Sequence, residues 1–184
     1  MKPTHRYLFI LRPSPAVTAE VLCMREQLFP HIGNFSGRRV IPHITLCFAD
    51  VTDSKERTIV QAAGAVAACI PFTLHYAGIT HFPDRRTIFI DPVEKEAIGR
   101  VREPLVTALR AEASIADALH VTDHPHLTIA AGLKPAQFAT AWDLLAPHHF
   151  EAEERVTEVV LMRRELKPEA LYSVIGTFAL RPSD

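Results

Sequence analysis

The chain has 184 residues, with 20 Lys and Arg against 21 Asp and Glu and a formal net charge of -1. This length suits one domain, or two small lobes sharing a core, and 48% apolar with 22% charged residues is an ordinary globular composition. The near-zero charge excludes a protein that coats nucleic acid at large, so any polyanion contact must be local, and no apolar stretch approaches the ~20 residues that span a membrane.

In chain order, the first six residues run straight into a short apolar stretch with no signal-peptide cleavage region behind it, and a cytoplasmic protein is expected from the reduced thiols read below. The stretch 7–11 reads as a buried strand, closed by the breaker Arg12-Pro13-Ser14-Pro15. Residues 16–29 have helical spacing, with Val17, Val21, Met24 and Leu28 on one face. A loop over 30–40 carries Gly33 and Gly37 and ends in Arg38-Arg39. The strand 42–46 follows, then a helix from Asp53 or Ser54 to about 68 with Ile59 and Val66 inward. A strand over 72–82, broken near Gly78, a turn at 83–86 and a strand over 87–91 come next. The pattern then restarts. Residues 95–113 are helical, 117–125 form a loop, 125–129 a strand, and 135–145 a helix opening on Pro135 with Phe138, Trp142 and Leu145 inward. The stretches 155–166 and 171–180 make a closing hairpin.

Equivalent elements recur about 80 residues apart, which reads as a degenerate internal duplication with pseudo-repeats at about 5–82 and 86–180. The whole chain, 1–184, is expected to form a single bilobal domain about a pseudo-twofold axis. Cys23, Cys47 and Cys69 have no metal-type spacing and are expected to be buried, reduced thiols.

One pattern is written twice: Pro42-His43-Ile44-Thr45-Leu46 and Pro125-His126-Leu127-Thr128-Ile129. In a strand, alternate side chains share a face, so each copy sets an imidazole and a hydroxyl side by side over an apolar back. The full frame has a chance expectation well below ~0.1, whereas a third His-x-Thr, His120-Val121-Thr122, lacks the frame. Two such faces are expected to meet across one cleft. An imidazole can take or give a proton near neutrality, so the two histidines can serve as base and acid on opposite sides of a reacting centre, with Thr45 and Thr128 as hydrogen-bond donors beside it. No metal or other cofactor is needed.

Among other candidates, Arg38 and Arg39 precede the first motif and can fork onto a phosphate, with Arg39 taken as substrate-binding. Tyr172 can line the cleft or stack on a base. Of Arg163 and Arg164, at most one can face the cleft, with an ion pair to a neighbour such as Glu165 as the plainer role. A metal site from His120, His124 and His126, with His148 or His149, lacks a recognised ligand spacing. His75 and His81 read as structural or exposed, and there is no Gly-rich phosphate loop or nucleophile elbow.

These tandem motifs resemble those of the two-histidine (2H) phosphoesterase superfamily, in particular its 2′-5′ RNA ligase and cyclic nucleotide phosphodiesterase branch. Tyr7-Leu8-Phe9-Ile10, the segment from Phe82 through Thr87-Ile88-Phe89-Ile90, and the closing hairpin with Leu161, Leu166 and Tyr172 agree with less specificity. The resemblance implies an α+β fold, with two antiparallel sheets lining a central cleft and helices outside. It implies His43, Thr45, His126 and Thr128 as the catalytic set, and a 2′,3′-cyclic phosphate of a nucleotide or RNA terminus opened to a 2′-phosphate. RNA ligation and non-catalytic binding of RNA ends are the alternatives. Where ligase-type members tend to carry an Arg after the second motif, this chain has Ala130-Ala131-Gly132, and Arg163-Arg164 stand where a small polar residue is common. These departures bear on ligation more than on hydrolysis. The protein is expected to act as a monomer with no obligatory protein partner and no membrane.

Overall fold

The computed structural model describes residues 2–181. Nine strands form one antiparallel sheet: β1 (His5–Leu11), β2 (Ile44–Val51), β3 (Phe72–His81), β4 (Ile88–Pro92), β5 (Leu119–Val121), β6 (Leu127–Ala130), β7 (Glu151–Val156), β8 (Glu158–Glu165) and β9 (Ser173–Ala179). Their order is β7-β3-β4-β6-β2-β1-β8-β9, with β5 paired to β2 outside this path. The two expected sheets are thus the halves of one sheet, β7-β3-β4-β6 and β2-β1-β8-β9. They meet where β2 and β6 pair through Ile44 and Leu127.

The halves do not coincide with the sequence repeats. β3, from the first round, lies between β4 and β7 of the second. β8 and β9, from the end of the chain, complete the half that starts with β1. The helices are exchanged as well. Helix α1 (Pro15–Ile32) packs on β6 and on α5 (Pro135–Leu145), while α3 (Lys95–Arg110) packs on β2 and on α2 (Glu56–Ala63). The apolar faces read from helical spacing are the ones buried: Val17, Val21, Met24 and Leu28 on α1, and Ile98, Val101, Leu105, Val106 and Leu109 on α3. They join Ile44, Leu46, Leu127 and Ile129 in one core between sheet and helices. Burying such a side chain stabilises the fold by on the order of 2 kcal/mol. A second, smaller cluster of Leu8, Ile10, Val160 and Met162 lies on the other sheet face.

Several expectations differ from the structure. Helix α1 continues through Pro30 to Ile32, closed by Gly33 at φ 69 with its N–H on the Phe29 carbonyl. The helix expected over 53–68 is α2 flanked by 3₁₀ turns at Asp53–Lys55 and Gly64–Ala68. The loop expected over 117–125 is preceded by α4 (Ala113–Ala116) and contains β5. What reads as one long strand from 155 is two. The chain leaves β7 at Val156 and enters β8 at Glu158, in the other half of the sheet, through the single residue Thr157. Of the cysteines only Cys47 is fully buried, and burial pushes its thiol up to about 12. Cys69 is half-buried, and Cys23 is exposed on the outer side of α1. Among the described residues no helix is long and apolar enough to cross a membrane.

Candidate active site

Both motifs show the same local design. In each, the proline and the two aliphatic residues are buried while the histidine and threonine are half-buried on the opposite face. Proline has no N–H to offer a ladder, so the pairing of β2 and β6 starts one residue after each histidine. Each motif ends in a register slip. Ile10 pairs with Thr45 and Phe9 with Cys47, which skips Leu46. Phe89 pairs with Thr128 and Ile88 with Ala130, which skips Ile129. A bulge of this kind bends and twists its strand, and here it falls directly after each threonine.

The antiparallel pair Ile44–Leu127 fixes how the motifs meet. Their flanking residues lie across from one another, His43 against Thr128 and Thr45 against His126. All four point away from the core-facing Ile44 and Leu127. The structure therefore brings His43, Thr45, His126 and Thr128 to one face at the centre of the sheet.

The two rings are held alike. His43 Nδ1 lies 2.7 Å from the Ile41 carbonyl and His126 Nδ1 2.8 Å from that of His124. A carbonyl oxygen only accepts, so Nδ1 carries the hydrogen in both rings, and in the neutral form each Nε2 keeps its lone pair. Burial pushes both imidazoles below their ordinary value, and the Nδ1 bond partly offsets this. Arg25 and His126 push His43 down further. The neighbouring His124 acts on His126 in the same sense, whereas the Asp91 carboxylate raises it. So equal motifs have unequal surroundings, a guanidinium near His43 and a carboxylate near His126.

Sequence reasoning missed the groups that make these surroundings. Arg25, on α1, is 2% exposed and is the one buried charged side chain among the described residues. Its Nε donates to the Ile129 carbonyl at 3.0 Å, one terminal nitrogen to Thr128 at 2.8 Å, and the other to Val40. It thereby satisfies the carbonyls at the second bulge and ties the loop before the first motif to the strand of the second. At the first bulge the Leu46 carbonyl accepts from the Thr122 N–H instead, and Arg102 on α3 donates to the Thr122 carbonyl. Phe82 and Phe89 wall the His126 ring at 5.0 and 5.1 Å between centroids. A helical arginine on an otherwise apolar face was the available signal for Arg25; nothing in the spacing marked the phenylalanines.

The other candidates separate. Arg39 is exposed and lines a groove of about 420 Å³ with Ile41, Met162, Arg164, Leu171 and Tyr172. Arg39 and Tyr172 thus share one groove, whose wall residue Ile41 also holds the His43 ring. Arg38 is turned back onto α1, hydrogen-bonded to Glu26 and stacked over the Phe29 ring at 3.5 Å. Arg163 bonds Glu56 at 2.6 Å on the core side, not Glu165, which pairs with Lys167. Arg164 is the one on the groove side, with its guanidinium 5.3 Å from the Tyr172 ring centre. His120 stacks on Phe48, and His124 lies between Phe82, Phe89 and Asp91. Among the described residues no three His, Cys, Asp or Glu side chains are grouped to hold a metal ion.

The family model of the 2′-5′ RNA ligase superfamily matches residues 13–168. No curated protein sequence matches the chain. Among solved structures, TT0787 of Thermus thermophilus aligns at 22% identity with a TM-score of 0.73, over 97% of this chain and 100% of its own. E. coli LigT complexed with 3′-AMP aligns at 17% identity and 0.69, over 98% and 99%. The MHV ns2 PDE domain aligns at 15% and 0.53, over 95% and 100%. At these identities the shared property is the fold.

Proposed function

The chain belongs to the 2′-5′ RNA ligase superfamily, and on that premise we propose that it is a metal-independent phosphodiesterase opening 2′,3′-cyclic phosphates of nucleotides or RNA ends. The observation that carries this reading is the pair of Nδ1-anchored histidines on one face, each with Nε2 unengaged by its anchor. In the reaction, water attacks phosphorus as one Nε2 takes its proton. The P–O3′ bond breaks, and the other Nε2 delivers a proton to O3′, leaving the phosphate on O2′. The regiochemistry follows the family resemblance. His126, beside Asp91, is the acid and His43, beside Arg25, the base. Thr45 and Thr128 donate to the non-bridging oxygens as charge builds there. Arg39 and Tyr172 bind the nucleoside side of the substrate in their shared groove. LigT has been solved with 3′-AMP and with phosphate, ligands that such a cleft would accept.

Hydrolysis is favoured over ligation by the segment after the second motif. Ala130 is fully buried, Ala131 bridges Ser36, and Gly132 adopts φ 65 against the Ser36 side chain. These residues dock the loop 33–40 and present no cation to a second RNA end. In this reading the protein works in the cytoplasm as a monomer, without an obligatory protein partner.

The test is turnover of a 2′,3′-cyclic nucleotide, and of a short RNA with a cyclic phosphate end, in EDTA with product followed by phosphorus NMR. We expect a 2′-phosphate product, and a loss of at least ~100-fold in kcat for each of His43→Ala and His126→Ala. Full activity in either variant would remove the acid-base pair. Absence of turnover on both substrates would favour a non-catalytic binder of RNA ends.

A further inference from the structure

We propose that the cavity between the β3–β4 turn and α5 is a second nucleotide site, holding the body of a single-stranded RNA whose cyclic phosphate end lies at His43 and His126; as a statement about substrate it rests on the proposed function. The cavity, of about 700 Å³, is outside the site described above and contains none of its residues. Its wall is aromatic. The His81 ring stands edge-on to Trp142 at 4.7 Å and to Phe138 at 5.1 Å, and Phe138 and Trp142 lie parallel within 6°. Its rim is cationic. Arg85, Arg86 and Lys134 are exposed, and among the described residues none is in an ion pair, unlike Arg6, Arg12, Arg38 and Arg163. Two carboxylates also line it. Asp84 accepts from the Arg86 backbone N–H at 3.1 Å, so it shapes the turn, and Asp143 leaves the lining one positive charge in excess.

Flat rings beside unpaired cations are what a nucleotide needs, a face for the base and a fork for its phosphate. An acidic peptide would use the cations and leave the rings idle. The placement also fits a strand that continues from the catalytic face. Phe82 touches the His126 ring, and its neighbour His81 packs on α5 and faces the cavity, so the two sites lie on opposite sides of the sheet near the end of β3. Around the edge the lining is continuous. Arg39 belongs both to the Tyr172 groove and to a groove of about 550 Å³ over the loop 34–40, and Lys134 belongs both to that groove and to the cavity. Arg164, Arg39, Lys134, Arg86 and Arg85 thus follow one another along a path on a chain of net charge -1. A local run of cations is the form that a polyanion contact would take on a chain of near-zero net charge.

Trp142 is the only tryptophan, so intrinsic fluorescence reads this cavity directly. In the full chain carrying His43→Ala and His126→Ala, a short oligoribonucleotide with a cyclic phosphate end should quench Trp142, and a 2′,3′-cyclic mononucleotide should not. Arg85→Ala with Arg86→Ala should raise the Kd for the oligonucleotide about 10-fold, lower the slope of log Kd against log salt by about 1–2, and leave the far-UV spectrum unchanged. Lys134→Ala, at a separate element, should weaken binding in the same direction. In the active chain the Arg85/Arg86 pair should raise the ratio of oligonucleotide to mononucleotide KM about 10-fold. No quenching, quenching that the arginine variants leave unaltered, or equal quenching by a poly-glutamate peptide would overturn the site. Turnover without quenching overturns this inference alone, whereas quenching without turnover of any cyclic phosphate overturns the proposed function and keeps an RNA-binding cavity.

Discussion

At the scale of single residues, the two histidines share a hydrogen-bond pattern and differ in the charges around them. Asp91 gives one oxygen to Lys95 at 2.8 Å, while the other is buried without a hydrogen-bond partner, 3.6 Å from His124 Nε2. That half-satisfied carboxylate raises His126 against the burial that lowers it. Because burial puts both rings below the ordinary ~6.5, the singly protonated pair is most populated on the acid side of neutrality, and kcat/KM should peak there. A bound phosphodiester anion favours the charged form of both rings, so kcat should peak at a higher pH than kcat/KM. Asp91→Asn removes a charge that holds the proton on His126, and the basic limb of kcat/KM should move to lower pH. An unmoved limb would show that His126 does not supply the proton. Arg25 supports the site differently, through three backbone carbonyls rather than through substrate. Arg25→Met would remove the donor from all three and leave the buried Ile129 carbonyl unpaired, which costs about 1–3 kcal/mol. We expect a stability loss of about 3 kcal/mol in urea unfolding and a fall in kcat with the KM for a mononucleotide nearly constant. Arg25→Lys, which cannot fork onto three acceptors, should recover only part of either.

At the scale of elements, each pentapeptide carries its own anchor and its own bulge, and the loop 33–40 is fitted to the second motif. Ser36 exchanges two backbone hydrogen bonds with Ala131, and a Cβ on Gly37 would lie 4.0 Å from the Thr128 methyl. Gly132 is the tight point, since a Cβ there would come within 3.0 Å of Ser36 Oγ at a φ of 65. Gly132→Ala should cost about 1–2 kcal/mol, lower Tm by about 3–6 °C, and raise KM by displacing the loop that presents Arg39. Calorimetry and steady-state kinetics on one preparation check both, and an unchanged Tm would mean that the loop yields without strain. This level of design was half legible in the sequence. The motifs, their apolar backs and most of the buried helix faces follow from periodicity, while Trp142, read as inward on α5, is half-buried at a cavity and Ala141 takes the buried position beside it. The bulges do not follow from it, because a register slip is decided by the partner strand and leaves the alternation of a five-residue segment intact. β5 escaped because three residues bounded by turns give no period, and β7 because its Glu-Ala-Glu-Glu-Arg-Val run is an edge strand with mostly solvated side chains. Arg38 and Arg39 are adjacent in the sequence, and only the position of Glu26 and Phe29 one helix away decides which of them is turned back.

At the scale of the whole molecule, the elements of the two rounds read from the sequence are interleaved between the halves of the sheet. β3 of the first round is built into the second half, and β8 and β9 of the second round are built into the first. Helices α1 and α3 cross in the same way, so one apolar core runs through residues of both rounds. Neither half has a complete sheet or its own helical cover without the other's chain. Thr157 alone links β7 of one half to β8 of the other, which leaves no slack for one half to open while the other stays folded. The pair Ile44–Leu127 sits at the junction, so separating the halves would also separate His43 from His126. Unfolding should therefore be one cooperative transition. Trp142 fluorescence reports on the half containing β6, far-UV circular dichroism on all elements, and turnover of a cyclic mononucleotide on the junction. In urea the three should give a single midpoint. Loss of turnover at a lower urea concentration than loss of dichroism, with Trp142 still in its native state, would mean that the junction opens before the halves unfold, and the exchange of strands would then not be what holds the two histidines together.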